Sequence, residues 1–270
     1  IDRPLFSFLH SVAIALSASS FESQNLALMA NAYSRFDIFS ESLFHFLYNV
    51  TVNTQFSSSD FQNIAVLMTA FVKVEMFDSD PLAVAAMDHL ARMLLLISPD
   101  SSNPHALGNV IFAYSKFLQL VDREEEIELS PVFTHLASLT RHLQPSELDP
   151  SSFTLLLSAF TRANFFNEEL AAFFDSVAVL LPLDQFDLTL MASILHTVSR
   201  SSFFLSSRIP FFFAHRIKLM SLDVFNAQNL VLITAAYAKS DLDDEELYEH
   251  LRRVGCQLPA GEWNGQSCSN

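Results

Sequence analysis

Apolar residues recur at i, i+3, i+4 and i+7 in six separate stretches of the chain. These are Leu26/Met29/Ala30/Tyr33, Ile64/Leu67/Met68/Phe71, Leu107/Val110/Ile111/Tyr114, Phe153/Leu156/Leu157/Phe160, Met191/Ile194/Leu195/Val198 and Leu230/Ile233/Thr234/Tyr237. That spacing marks one face of an α-helix. The opposite faces are also apolar in part (Leu28, Val66, Leu155, Leu232), so each helix needs cover on several sides, as stacking between neighbours would give. No stretch alternates with period two for long enough to predict a sheet.

A second helix follows each of these. Its starts read Ser40-Glu41-Ser42-Leu43-Phe44, Asp80-Pro81-Leu82, Ser130-Pro131-Val132-Phe133, Asn167-Glu168-Glu169-Leu170 and Asp243-Asp244-Glu245-Glu246-Leu247. Capping residues, proline in the first turn and acids near the positive helix end all belong to an N-terminus. We call the first helix of each pair A and the second B. Pro4, Pro81, Pro131 and Pro210 fall at B starts, and Pro99, Pro104, Pro145, Pro150 and Pro182 are expected between units.

The A helices share a signature. Ala-aromatic-x-basic ends them at Ala32-Tyr33-Ser34-Arg35, Ala70-Phe71-Val72-Lys73, Ala113-Tyr114-Ser115-Lys116, Ala159-Phe160-Thr161-Arg162 and Ala236-Tyr237-Ala238-Lys239, with a degenerate copy at Thr197-Val198-Ser199-Arg200. Composition alone predicts about 0.2 occurrences, so the recurrence is an internal repeat. Successive aromatic positions lie 38, 43, 46, 38 and 39 residues apart, with insertions expected near 97–105 and 119–129. The fold expected is all-α: an α-solenoid of about six helical hairpins of roughly 40 residues. It spans 1–254 as one domain, with repeats near 21–56, 57–98, 104–143, 149–182, 184–221 and 223–254, and a tail over 255–270. Arg3-Pro4-Leu5-Phe6-Ser7-Phe8-Leu9-His10 matches a B helix, so the array begins mid-repeat.

Charge separates the two helix types. The chain has 15 basic and 30 acidic residues among 270, a net of −15, which excludes an all-round cationic surface. Yet the A helices, taken as 25–36, 61–74, 106–118, 152–164, 188–200 and 227–240, contain six basic residues and no acid. The six are Arg35, Lys73, Lys116, Arg162, Arg200 and Lys239. Equivalent positions of stacked repeats form a row, so these six are expected to make a basic ladder along one edge. Such a ladder suits phosphate contacts to a single RNA strand. Equally, a cation in the last turn complements the helix dipole and lays its stem over apolar neighbours. Four residues before each cation stand Asn31, Thr69, Phe112, Ser158, His196 and Ala235, a varying position where base-contacting side chains would belong.

Other chemistry is thin. Four glycines, three of them in the last sixteen residues, leave no GxGxxG loop, P-loop or GxSxG elbow. No HExxH or i, i+4 histidine pair suggests a metal. His89, His135, His215 and His250 recur midway along B helices and read as scaffold positions. The run 241–246 reads as a solvated helix start. Cys256 and Cys268, both placed in the tail, read as free thiols of a reducing compartment. The charge-free stretches Pro4–Phe21 and Ser42–Ser59 are eighteen residues each but are broken by polar residues, and no membrane insertion is expected. No enzyme activity and no cofactor is expected.

Units of about forty residues, with an apolar first helix closing in Ala-Tyr/Phe-x-Lys/Arg and a Phe/Leu-rich second helix, resemble the octotricopeptide and heptatricopeptide repeats. Those repeats accompany RAP and FAST-kinase-like domains in organellar RNA metabolism. The resemblance runs from Pro4 to about Val254 and implies a mitochondrial matrix protein, or alternatively a plastid one. It further implies contact with RNA, including ribosomal RNA of a divergent mitochondrial ribosome, among basic partner proteins. Two departures stand out: no RAP-like module follows residue 255, and the chain is acidic. The rival expectation is an acidic protein-interaction scaffold without RNA contact.

Overall fold

The computed structural model describes residues 3–17, 20–36, 38, 40–127, 129–200, 207–240, 242–259, 261 and 263. Among the described residues every regular element is helical and there is no strand. The chain divides into two compact units, Ile1–Leu143 and Gln144–Asn270. The first holds α1 (Arg3–Ala15), α2 (Ser23–Arg35), α3 (Glu41–Asn53), α4 (Phe61–Val74), α5 (Pro81–Leu94), α6 (Pro104–Leu120) and α7 (Pro131–His142). The second holds α8 (Pro150–Arg162), α9 (Glu168–Leu180), α10 (Leu188–Val198), α11 (Ile209–Lys218), α12 (Ala227–Tyr237) and α13 (Glu245–Gln257). All six expected A helices are present as α2, α4, α6, α8, α10 and α12.

Helix starts are fixed by Asp and Asn side chains. Asp80, Asn103, Asp149, Asn167, Asp187, Asn226 and Asp244 each accept a bond from a first-turn backbone N–H, at 2.7–2.9 Å. Each satisfies one of the donors that a helix leaves free at its start. Pro104 and Pro150, expected between units, are instead the first residues of α6 and α8. The missing N–H of proline is harmless there, and its φ suits a first turn. Short 3-10 turns lead into five of the A helices: Ser58–Asp60, Pro99–Ser101, Pro145–Glu147, Leu183–Gln185 and Leu222–Val224. The longest spacing between signature positions has a structural counterpart: α6 runs on past Lys116 for another turn. The loop after it is held by Arg123, which reaches Asp88 at 3.0 Å and Glu126 at 2.8 Å.

Within each unit, helices pack on the helix two places along. In the first, α2 lies on α4 and α4 on α6, while α1, α3, α5 and α7 form a second succession. In the second, α8, α10 and α12 make one layer and α9, α11 and α13 the other. A and B helices of a hairpin also touch, as α4 does α5 and α12 does α13. α8 meets α9 through Phe153 and Phe160, whose rings lie 5.7 and 6.2 Å from Phe174.

The signature residues explain this layering. Tyr33, Phe71, Tyr114, Phe160, Val198 and Tyr237 are all buried, and so are Ala70, Ala113, Ala159 and Ala236 beside them. A small residue lets two helices approach, and the neighbouring large one fills the space between layers, contributing about 1.5–3 kcal/mol when fully buried. Where the aromatic is tyrosine it can also tie backbone. The Tyr33 hydroxyl donates to the Phe6 carbonyl at 2.6 Å and Tyr237 to the Pro210 carbonyl at 2.8 Å, both 27 residues earlier at a B-helix start. Burial holds the Tyr237 hydroxyl well above the usual phenol range, so it stays a donor at any working pH.

The recurring histidines are partly scaffold. The His89 Nε2 meets the Thr54 carbonyl at 2.9 Å, and His135 Nε2 meets Ile97 at 3.0 Å, each tying a B helix to the segment that leaves the preceding B helix. His250 is buried against the Phe225 ring, whereas His215 is exposed. Cys256, expected in the tail, is an exposed residue of α13, because that helix continues to Gln257. Cys268 lies outside the described residues, as does Asp241 of the acidic run. No helix of the described residues is long and apolar enough to cross a membrane.

Removing the Tyr237 hydroxyl by Tyr237→Phe is expected to cost about 1 kcal/mol, the worth of one buried hydrogen bond. It should appear as a lower urea midpoint with an unchanged slope. Phe71→Leu, which removes ring volume but no hydrogen bond, separates packing from anchoring.

Candidate nucleic-acid interface

An A helix ends where its carbonyls have no helical partner, and the dipole makes that end negative. The signature cations sit there. In the first unit, Arg35 is the last residue of α2 and exposed. Lys73, near the end of α4, donates from Nζ to the Ser34 carbonyl at 2.6 Å, next to Arg35 and 39 residues earlier. Lys116 of α6 pairs through Nζ with Glu75, the residue that caps α4. Glu75 has φ of 56°, a left-handed conformation unusual for a residue with a side chain. Each lysine therefore reaches back to the C-terminal end of the preceding A helix, and Arg35, Lys73 and Lys116 run in sequence along one edge of this unit.

In the second unit, Arg162 is the exposed last residue of α8. Arg200 and Lys239 were expected inside their helices, over 188–200 and 227–240, but both lie just beyond them. α10 stops at Val198 and α12 at Tyr237, because the chain tightens into i→i+3 bonds, from Arg200 N to the Thr197 carbonyl and from Lys239 N to the Ala236 carbonyl, each 3.1 Å. Both cations are exposed, and both act on His196. Burial first, then the positive charges of Arg200 and Lys239, hold the His196 imidazole below its ordinary range. It is neutral at pH 7. Equivalent cations of adjacent repeats thus both lower the proton affinity of one half-buried histidine.

The varying position differs in exposure as well as type. Asn31 and Thr69 are exposed, whereas Phe112, Ser158, His196 and Ala235 are half-buried. The Thr69 hydroxyl is taken up by its own helix, donating to Ala65 at 2.7 Å. Ala235 lines an apolar groove with Leu230, Tyr248 and Trp263 and has no polar group to offer. Asn31, Ser158 and His196 are the members with a side chain able to hydrogen-bond a base edge.

Sequence inspection missed a third row. Eleven residues before each cation stand Gln24, Gln62, His105, Ser151, Thr189 and Gln228, all exposed and all with hydrogen-bonding side chains. The signal was available, since eleven residues is three helical turns and places these on the same face as the cations. Cross-links join this end too: Asn103 Nδ2 to Gln62 at 3.4 Å, and Asn229 Nδ2 to Thr189 at 3.2 Å. Acids appear at the helix caps instead, as Asp60, Asp149 and Asp187, where the dipole is positive. The outward A face therefore runs from hydrogen-bonding side chains to cations with no carboxylate between them. Among the described residues, no group of three or more His, Cys, Asp or Glu could hold a metal ion.

Comparison with known protein families finds no match to the chain, and comparison with curated proteins finds none either.

Neutralising the two cations, as Arg200→Gln with Lys239→Gln, is expected to raise the His196 pKa part of the way towards its ordinary value, since burial, the larger cause, remains. An NMR titration of the imidazole resonances checks this. An unmoved pKa would show that the two charges do not act on His196.

Proposed function

We propose that the chain is a noncatalytic α-solenoid of six hairpins, of octotricopeptide or heptatricopeptide type, that contacts RNA through the outward face of its A helices. The observation that carries this reading is the exposed face just described, free of carboxylates in all six A helices of a chain whose net charge is −15. Surface drift would have scattered acids over it. Cations at the helix ends meet phosphates, a contact that fixes register without reading sequence. Asn31, Ser158 and His196 supply the base contacts, and the row from Gln24 to Gln228 meets sugars and base edges. The acidic remainder of the surface, at −21 formal charges, faces basic proteins. Together these describe a subunit of a ribonucleoprotein, such as a divergent mitochondrial ribosome, in the matrix.

A second reading has one observation in its favour. The Lys116–Glu75 pair neutralises one cation internally, as a scaffold that holds proteins and not RNA would require. Salt dependence separates the two. A fluorescein-labelled single-stranded RNA of twenty nucleotides should bind at 50 mM salt and lose about 300-fold in affinity by 200 mM, if six phosphates are engaged. The triple change Arg35→Glu, Lys73→Glu, Lys116→Glu should abolish binding while circular dichroism stays helical. Absence of binding at 50 mM, or affinity untouched by the triple change, removes the RNA reading and favours the scaffold.

A further inference from the structure

The B layer of the first unit is uneven. α3 and α5 pack along their length, whereas α5 and α7 meet at few places. Between α5, α7 and the loop that follows α6 lies a groove of about 590 Å³. Ala91, Tyr114 and Val132 line it and are buried; Leu95 and Leu129 line it and are exposed, at 39% and 87%. Both of its helical walls belong to consecutive hairpins in the middle of the chain.

The loop after α6, where the repeat spacing is longest, holds Leu129 out over this groove. Arg123 braces the loop, with Nε and Nη2 donating to the two oxygens of Glu126 at 2.8 Å and Nη1 to Asp88 at 3.0 Å. Ile127 and Ser130 are both buried on either side of Leu129, and the Ser130 N–H donates to the Ile127 carbonyl at 3.2 Å. Leu129 therefore cannot fold inward without breaking the loop. A leucine fixed in water beside an apolar groove is an anchor for another chain, since covering it removes apolar surface from water at no ordering cost to the loop.

Charge defines what fits. Asp88 and Glu126 are taken up by Arg123, but Glu124 and Glu125 are exposed and carry no ion pair among the described residues. Around the groove Asp88, Asp122, Glu124, Glu125 and Glu126 stand against Arg92 and Arg123, five acids to two bases, a formal −3. Such a rim repels a phosphate backbone or an acidic peptide and draws a basic one.

We propose that this groove seats a basic segment of a partner protein, in which an apolar side chain packs beside Leu129 and Leu95 while lysine or arginine meets Glu124 and Glu125. This docking rests on the acidic surface facing basic proteins, as proposed above, and needs no RNA contact.

A library of random twelve-residue peptides displayed on phage and panned against the full chain is the probe, with enriched peptides then synthesised and titrated by fluorescence anisotropy. Enriched sequences should join an apolar residue to two or more lysines or arginines. Amide resonances of Ala91, Leu95 and Val132 should shift as such a peptide is added to the wild-type chain. Leu129→Asp should weaken binding about tenfold or more. Glu124→Lys with Glu125→Lys should do the same. All three residues are exposed, so circular dichroism and the urea midpoint of both variants should match wild type. Binding of the twenty-nucleotide RNA should not fall in either, so failure of the RNA reading and failure of this docking are told apart. No enrichment, enrichment of neutral or acidic sequences, shifts confined to other residues, or affinity that survives either variant would overturn the proposal. A chain that sediments as a dimer and becomes monomeric with Leu129→Asp would overturn it too, by making a second copy the occupant.

Discussion

Stacking of each helix on the helix two places along is the contact on which the rest depends. It demands an apolar helix that is covered on more than one side, with a small residue where backbones approach and a large one where the layers meet. Ala beside Tyr or Phe meets both demands in one dipeptide, which is why it recurs with the period of the fold. Tyrosine adds a hydroxyl long enough to reach a B-helix carbonyl 27 residues back, at Phe6 and at Pro210. Degeneracy at Val198 is tolerated because that side chain is still fully buried, at the expense of the hydroxyl anchor.

A consequence of stacking is that residues at equivalent positions become neighbours in space. This turns a single cation per repeat into a collective feature. Lys73 and Lys116 each meet the end of the A helix before them, and Arg200 and Lys239 act together on His196. The end of α2 holds the Lys73 ammonium in place, where its charge complements the helix dipole. Lys116 meets a carboxylate, Glu75, at the end of α4. The same dipole logic sends acids to the opposite ends, at the caps, and so leaves the outward face free of them.

Much of this was legible in the residues. The tetrapeptide and its degenerate copy located all six A helices, and the prolines located four B-helix starts, because an eight-residue apolar stripe and a capping signal are local and strongly patterned. Three features were not. The 3-10 turns before the A helices are three residues long and have no period to detect. The ends of α10 and α12 fall short of Arg200 and Lys239 because backbone bonds tighten there, and no side chain announces it. The pairing of Lys116 with Glu75 joins residues 41 apart and depends on a left-handed backbone at a glutamate, where glycine would be the usual sign. The row from Gln24 to Gln228 was readable but contains no lysine or arginine to draw the eye.

The central claim is that equivalent positions on successive A helices lie side by side. Distance measurement by double electron–electron resonance between spin labels at Asn31→Cys and Thr69→Cys, with Cys256 and Cys268 replaced by Ser, tests it most directly. Both sites are exposed and lie four residues before their cations, on α2 and α4. Helices packed at about 8–10 Å between axes should give one narrow distribution centred below about 20 Å. A broad distribution, or one centred well beyond that, would contradict the stacking and, with it, the cationic edge.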